Sequence, residues 1–383
     1  MIKRMICLII LINPALSTIA AANTSIYNSI LKPHGNLHAK DFDLVKFTVN
    51  NVEHLIAFGW QFSTNSLVGY YVNGVGEMDL NNQIIINFPE SNKTRWAPSV
   101  TVKKNSLGNN ILFMYYARGE NQKLGGKQIY VASANLSELS EVQYNNNRIS
   151  SIFFPKETRL KLMDFYGNFA GRIFDPANEN AAGIIDPEIF CDDDGKIYLY
   201  YVVVLPGISG VACHQEFIRV QLMNDFETAA GQQYDLPIVD GFCDAENDGV
   251  VESPSVVKVN GKYKLIFSSY PSSWIYPAGA NASSGQYVKL VDLASPTNFG
   301  SNERALFAKK NQFLTNGSLI EPEYELDNTI SQYGFGGQDI VDLGKGHFKL
   351  IGQGLHNVSG QEAAREYGIF TNDIEISIYL NIH

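Results

Sequence analysis

Asp186-Pro187-Glu188-Ile189-Phe190, the turn Asp192-Asp193-Asp194-Gly195-Lys196 and the run Ile197-Tyr198-Leu199-Tyr200-Tyr201 read as one β-hairpin: an apolar strand, a glycine-bearing polar tip and a second strand of β-branched and aromatic residues. The pattern returns at Glu252-Ser253-Pro254-Ser255-Val256-Val257, then Asn260-Gly261-Lys262, then Tyr263-Lys264-Leu265-Ile266-Phe267. Asp186 and Glu252 each precede their tip glycine by nine positions, which predicts the same place on the first strand for both carboxylates. Three more copies follow the rule. One runs from Leu44-Val45-Lys46-Phe47-Thr48-Val49 through Asn50-Asn51 into residues 52–58. Another joins Ser99-Val100-Thr101-Val102, past Gly108-Asn109, to Ile111-Leu112-Phe113-Met114-Tyr115-Tyr116. The last joins Asp339-Ile340-Val341-Asp342-Leu343 to His347-Phe348-Lys349-Leu350-Ile351 across Gly344-Lys345-Gly346.

Five copies with tips roughly 55 to 90 residues apart leave room for a four-stranded blade each, and helical periodicity is scarce. The pattern therefore predicts an all-β chain folded as a five-bladed β-propeller, in which radial closure protects the sheet edges. A β-sandwich with coincidental hairpins is the alternative. The propeller takes residues 39–383, behind a lead-in over 23–38, with no room for a second folded domain.

Residues 1–22 carry a basic start (Lys3, Arg4), a short apolar run and Ala20-Ala21-Ala22, the form of a secretory signal peptide; the run is too short to span a membrane. Export is the expectation, with a soluble, secreted, monomeric product. Asn-x-Ser/Thr sequons at Asn23, Asn92, Asn135, Asn281, Asn316 and Asn357 agree with a glycoprotein. After cleavage Cys191, Cys213 and Cys243 remain, enough for one disulfide; Cys213 with Cys243 is the expected pair. A net charge of −10 without a basic run excludes nucleic acid as a natural partner. The 20 tyrosines fit β-strand composition or a surface that stacks on sugar rings.

Radially arranged hairpins would bring Asp186 and Glu252 to one axis. Asp41, nine positions before Asn50, would join them, with Asp43 as the competing carboxylate in that blade. Paired carboxyls around one axis are what glycosidic cleavage requires. The motifs resemble glycoside hydrolase family 43. Glu252-Ser253-Pro254-Ser255-Val256 before an Asn-Gly-Lys turn looks like its general-acid blade. Ile185-Asp186-Pro187 looks like its second acidic blade, and Trp96-Ala97-Pro98-Ser99 like its Trp-Ala-Pro signature. Asp41-Phe42-Asp43-Leu44-Val45-Lys46 is similar to its opening Asp-Pro-Asp-Ile-Val-Lys. The resemblance spans residues 39–355 and implies Asp41 as general base, Glu252 as general acid and Asp186 as the group that orients Glu252 and raises its pKa. An inverting enzyme holds acid and base about 6.5–9.5 Å apart to admit water.

The resemblance implies action on a pentose-containing oligo- or polysaccharide of plant cell walls. An α-L-arabinofuranosidase or arabinan-degrading enzyme comes first, and a β-xylosidase active in xylan degradation second. A non-catalytic carbohydrate-binding propeller is the rival outside enzymes; the nucleophile strand of retaining, invertase-type propellers is missing. No cofactor is required. Many family members hold an axial calcium or water with a fifth-blade His, but Gly337 stands at that place, leaving Gln338 or Asp339 to bond a water. His356 is a candidate to stand in for that histidine. Trp96, Trp60, Trp274 and Phe58 are candidate stacking platforms, and Arg118 a candidate for gripping hydroxyls.

Overall fold

The computed structural model describes residues 39–61, 64–73, 78–91, 93–119, 126–141, 143–162, 182–205, 215–236, 251–259, 261–269, 287–299, 324–327, 330–344, 347–358 and 366–374. The signal peptide, the lead-in, Trp274, Cys213 and Cys243 lie outside them; Cys191 is a free thiol.

The described residues form five sheets of three or more strands. Blade one is β1 (Ala39–Val49), β2 (Val52–Gln61), β3 (Ser66–Val72) and β4 (Met78–Asn87). Blade two is β5 (Thr94–Lys104), β6 (Asn110–Gly119) and β7 (Gln128–Asn135). The chain then forms a small ribbon of β8 (Tyr144–Asn145) and β9 (Arg148–Ile149), lends β10 (Ser151–Phe153) in parallel to β4, and returns as β11 (Glu157–Arg159) to the edge of β7. Blade three is β12 (Gly183–Cys191), β13 (Ile197–Leu205), β14 (Gln215–Met223) and β15 (Ala229–Leu236). Blade four is β16 (Val251–Val259), β17 (Lys262–Ser269) and β18 (Tyr287–Leu293). Blade five is β19 (Tyr324–Asp327), β20 (Ile330–Gly344), β21 (His347–Val358) and β22 (Glu366–Ile374). The innermost strands touch in a closed ring, β1 on β5, β5 on β12, β12 on β16, β16 on β20 and β20 on β1. This is the five-bladed propeller that the hairpin pattern predicts. The sole helical piece among the described residues is the 3-10 turn Leu136–Glu138, capped by Asn135, and no helix there is long and apolar enough to cross a membrane.

Local chemistry explains the blades. Asn50 and Asn51 both have positive φ (50° and 62°), the two-residue tip whose twist matches a hairpin. Between blades, apolar faces interlock: Phe58, Ile56, Leu112 and Met114 fill the seam of blades one and two, and Leu199, Val203, Leu265 and Phe267 that of three and four. Much of the tyrosine content is packing. Tyr115, Tyr116 and Tyr200 are fully buried, and their hydroxyls donate to Phe226 O (2.6 Å), Glu157 Oε1 (2.6 Å) and Pro296 O (2.5 Å).

Each innermost strand breaks register at an equivalent place, between Lys40 and Asp43, Trp96 and Ser99, Ile185 and Glu188, Glu252 and Ser255, and Gly336 and Asp339, and β20 shifts twice more, between Tyr333 and Phe335 and between Asp342 and Gly344. The five equivalent bulges sit at one level. The first residue after each is polar: Asp43, Ser99, Ser255 and Asp339 are buried and Glu188 is half-buried. Together they lace the axis. Val100 N donates to Asp43 Oδ2 (2.7 Å), Leu44 N to Asp339 Oδ2 (2.7 Å) and Ile189 N to Ser99 Oγ (3.0 Å). Ser99 Oγ donates to Glu188 Oε2 (3.0 Å), and Ser255 Oγ to Asp339 Oδ1 (2.8 Å).

Burial first, and mutual repulsion second, push Asp43 and Glu188 well above the ordinary carboxyl range; burial also raises Asp339. Carboxyls raised in the folded state bind more protons than in the unfolded chain. Their stabilising contribution is complete below the unfolded values near about 4 and is lost as pH rises through the folded ones. Glu188→Gln keeps an acceptor for Ser99 and removes one charge. Thermal melts at pH 5 and 8 should show a variant midpoint that falls less between the two pH values than the wild type's; equal falls would contradict the account.

Candidate active site

At the bulge level four non-glycine residues take positive φ: Asp41 (53°), Ala97 (44°), Asp186 (49°) and Ser253 (51°). Left-handed backbone costs such residues about 1–2 kcal/mol each, and strain of this kind clusters at functional sites. Proline follows three of them, Pro98, Pro187 and Pro254, and fixes the second bulge residue's φ.

This register corrects one expectation. Asp41 and Asp186 are equivalent, but the residue matching them in blade four is Ser253; Glu252 stands one step earlier. The shared offset of nine misleads because the tips differ: Cys191 pairs with Ile197 across five residues, whereas Val259 pairs with Lys262 across two. The blades bring Asp186 to the backbone beside Glu252 all the same. Ser253 N donates to Asp186 Oδ2 at 3.0 Å, tying the peptide that follows Glu252 to the Asp186 carboxylate. Asp186 is buried, while Glu252 and Asp41 are half-buried.

Asp41, Asp186, Ala97 and Ser253 rim a small cup of about 30 Å³ on the axis, floored by Asp43, Glu188 and Asp339. That is room for about one or two waters. Below the floor the axis opens at the hairpin end into a funnel of about 560 Å³, past Lys46, Lys103, Lys258 and Asp193. The two acids of blade one therefore part company: Asp41 is at the cup's rim and Asp43 is in its floor, accepting from blade two.

The remaining candidates sort by burial. Phe58 is fully buried in the seam of blades one and two, which removes it as a stacking platform. Trp60 is 7% exposed and lies against Trp96, ring centres 5.4 Å apart, so of the two only Trp96 is half-buried. Lys127 Nζ sits 4.0 Å from the Trp96 ring centre, its pKa lowered by burial to about 8. Arg118 is committed elsewhere, pairing with Glu90 (2.5 Å) and Glu157 (3.3 Å) over the Tyr130 ring, so it does not reach toward a sugar. Gln338 lies in the fifth bulge. His356 pairs with Gln332 on the part of blade five that extends past the bulge level.

The oxygens of Asp43, Glu188 and Asp339 accept N–H and O–H donors, and among the described residues no three His, Cys, Asp or Glu side chains are placed to hold a metal ion.

Two features escaped the sequence reading. The floor had a visible signal, since Asp43, Ser99, Glu188, Ser255 and Asp339 align once the bulges do. Glu216, buried on β14 beside the catalytic candidates, had none, because it sits in an ordinary strand segment, Gln215-Glu216-Phe217-Ile218.

Strain at the rim is separable from its carboxylates. Ala97→Gly should stabilise the fold by about 0.5–1 kcal/mol, the relief at positive φ less glycine's entropy. Calorimetry showing a lower midpoint for the variant would refute strain at that bulge.

No protein-family model matches the sequence, and no curated protein does. Solved structures do match. An α-L-arabinofuranosidase from Lactobacillus brevis is 13% identical with a TM-score of 0.52, covering 88% of this chain and 92% of that one. A xylan β-1,4-xylosidase from Bacillus halodurans C-125 is 12% identical with a TM-score of 0.51; 89% of this chain matches 54% of that one. An exo-1,5-α-L-arabinanase from a bovine ruminal metagenomic library is 13% identical, covering 89% and 96%, with a TM-score of 0.49. At these identities the likeness is one of fold: the chain shares its five-bladed propeller with arabinofuran- and xylan-directed glycosidases.

Proposed function

We propose that this chain is an exported, inverting glycoside hydrolase of the family 43 type, acting on pentose-containing plant cell-wall glycans and foremost on α-L-arabinofuranosides or arabinan. The observation that supports it most is the Ser253 N–H···Asp186 bond at the cup that Asp41 also rims. Asp41, Asp186 and the peptide that follows Glu252 come from three blades to one end of the axis. In this reading Asp41 deprotonates a water held in the cup, and that water attacks the anomeric carbon. Glu252 gives its proton to the departing glycosidic oxygen. Asp186 fixes the Glu252 backbone and, as a neighbouring negative charge, keeps the acid protonated toward neutral pH. Trp96 is the platform for a sugar's CH face.

The roles separate kinetically. Asp41→Asn should lower kcat by about 10²–10⁴-fold on every substrate, because water must be activated whatever leaves. Glu252→Gln should lose a similar factor on linear arabinan yet much less on an aryl arabinofuranoside, whose leaving group needs little protonation. Release assays on aryl arabinoside, aryl xyloside and arabinan choose between arabinose- and xylose-directed action. Proton NMR of the first-formed sugar reads inversion. Wild-type rates in Glu252→Gln on arabinan would sink the assignment, and binding of arabino-oligosaccharide without any turnover would make the chain a carbohydrate-binding propeller.

A further inference from the structure

A fourth carboxylate lies beside the three. Glu216 stands at the start of β14, opposite Val204 of β13, and is 2% exposed. Its Oε2 accepts the N–H of Val251 at 3.0 Å, across the seam from blade three into blade four. Val251 is the residue just before Glu252, and Ser253, just after it, donates its N–H to Asp186. The backbone on both sides of Glu252 is thus gripped by a blade-three carboxyl. We propose that Glu216 is a second positioning residue for the acid Glu252, holding the peptide ahead of it as Asp186 holds the peptide behind it and setting its own carboxyl within electrostatic reach of the acid. The inference rests on the glycosidase reading for the word acid, but the grip itself does not.

The groups that face Glu216 support an electrostatic part as well as a mechanical one. Among the described residues these are Glu252 from β16 and Asp186 from β12, both like-charged, while β13 presents Val204. Burial, then Glu252, then Asp186 push the Glu216 carboxyl well up, and the Val251 N–H offsets this only in part. Three carboxyls so placed titrate as a set, holding protons to higher pH than two would. Taking Glu216 out of the set lets Glu252 ionise earlier. A residue that only pegs Val251 in place would leave the titration of Glu252 where it was.

The test is carboxyl ¹³C NMR on the full chain labelled at glutamate Cδ, with Glu216→Gln and Glu252→Gln assigning the two signals. In the wild type both carboxyls should titrate in two linked steps. In Glu216→Gln, which keeps an acceptor for Val251, the Glu252 midpoint should fall by about one pH unit. The alkaline limb of kcat should move down with it, while KM stays put. A Glu252 signal that titrates in one step in the wild type, or does not move in the variant, overturns the proposal. Should Glu216→Gln fail to fold, the wild-type curves decide alone. An inactive wild type with linked curves would remove the hydrolase reading and keep the pairing, and an active one with a single-step Glu252 would do the reverse.

Discussion

Everything in this molecule hangs on hydrogen bonds that cross the axis from one blade to the next. Asp43 takes the N–H of Val100, Ser99 that of Ile189, and Asp339 that of Leu44. These amides belong to innermost strands, whose axial side has no further strand to pair with. A buried backbone N–H without an acceptor is costly. A propeller with side chains supplying those acceptors closes its ring, and one with apolar residues there would leave the amides stranded. Charged acceptors make the stronger bonds, which gives a physical reason for the two acids, Asp43 and Asp339, that take amide N–H groups there. Their repulsion is tempered by burial, which favours shared protons over full ionisation.

The same bulge that delivers the acceptors also builds the cup. Along a regular strand residues two apart share a face, so Asp41 and Asp43 would point the same way. The bulge inserts an extra residue between Lys40 and Asp43 and turns Asp41 to a φ of 53°. One acid is thereby aimed at the rim while the other stays in the floor. Blade three repeats the device with Asp186 and Glu188. Blades two and four use it with Ala97 and Ser99, and with Ser253 and Ser255, so only some blades place an acid at either level. Function at the rim and closure at the floor are thus two outputs of one backbone irregularity.

Much of the architecture was legible from alternating β-branched and aromatic runs with Gly and Asn tips, because hairpin signals are local. Convergence of Asp41 and Asp186 was legible for the same reason. The offset of nine failed for Glu252 because it counted through tips of unequal length, and hairpin tips are free to vary where they project away from the axis. Counting from the proline, Pro187 or Pro254, would have revealed the one-residue step. Phe58 and Arg118 were misread as sugar contacts because an aromatic or a guanidinium in a strand looks the same in sequence whether it meets solvent or a seam. Arg118 finds Glu90 from the segment between β4 and β5, and Glu157 only after β11 comes back to the edge of blade two.

Glu216 shows why chemistry at a blade seam resists sequence reading. It lies 36 positions before Glu252 and 30 after Asp186 in the chain, on a strand whose pattern is that of any buried third strand. Nothing local marks it, since its partner is an amide in another blade. Yet the geometry of a propeller makes such partners predictable in kind. The strand that follows a seam starts beside the ends of the preceding blade's second and third strands, so a long acidic side chain there reaches the first peptides of the next blade. When those peptides flank the acid of a reaction, a buried carboxyl on the earlier blade acts on it without touching substrate. The placement of the acid is then set by the neighbouring blade as much as by its own.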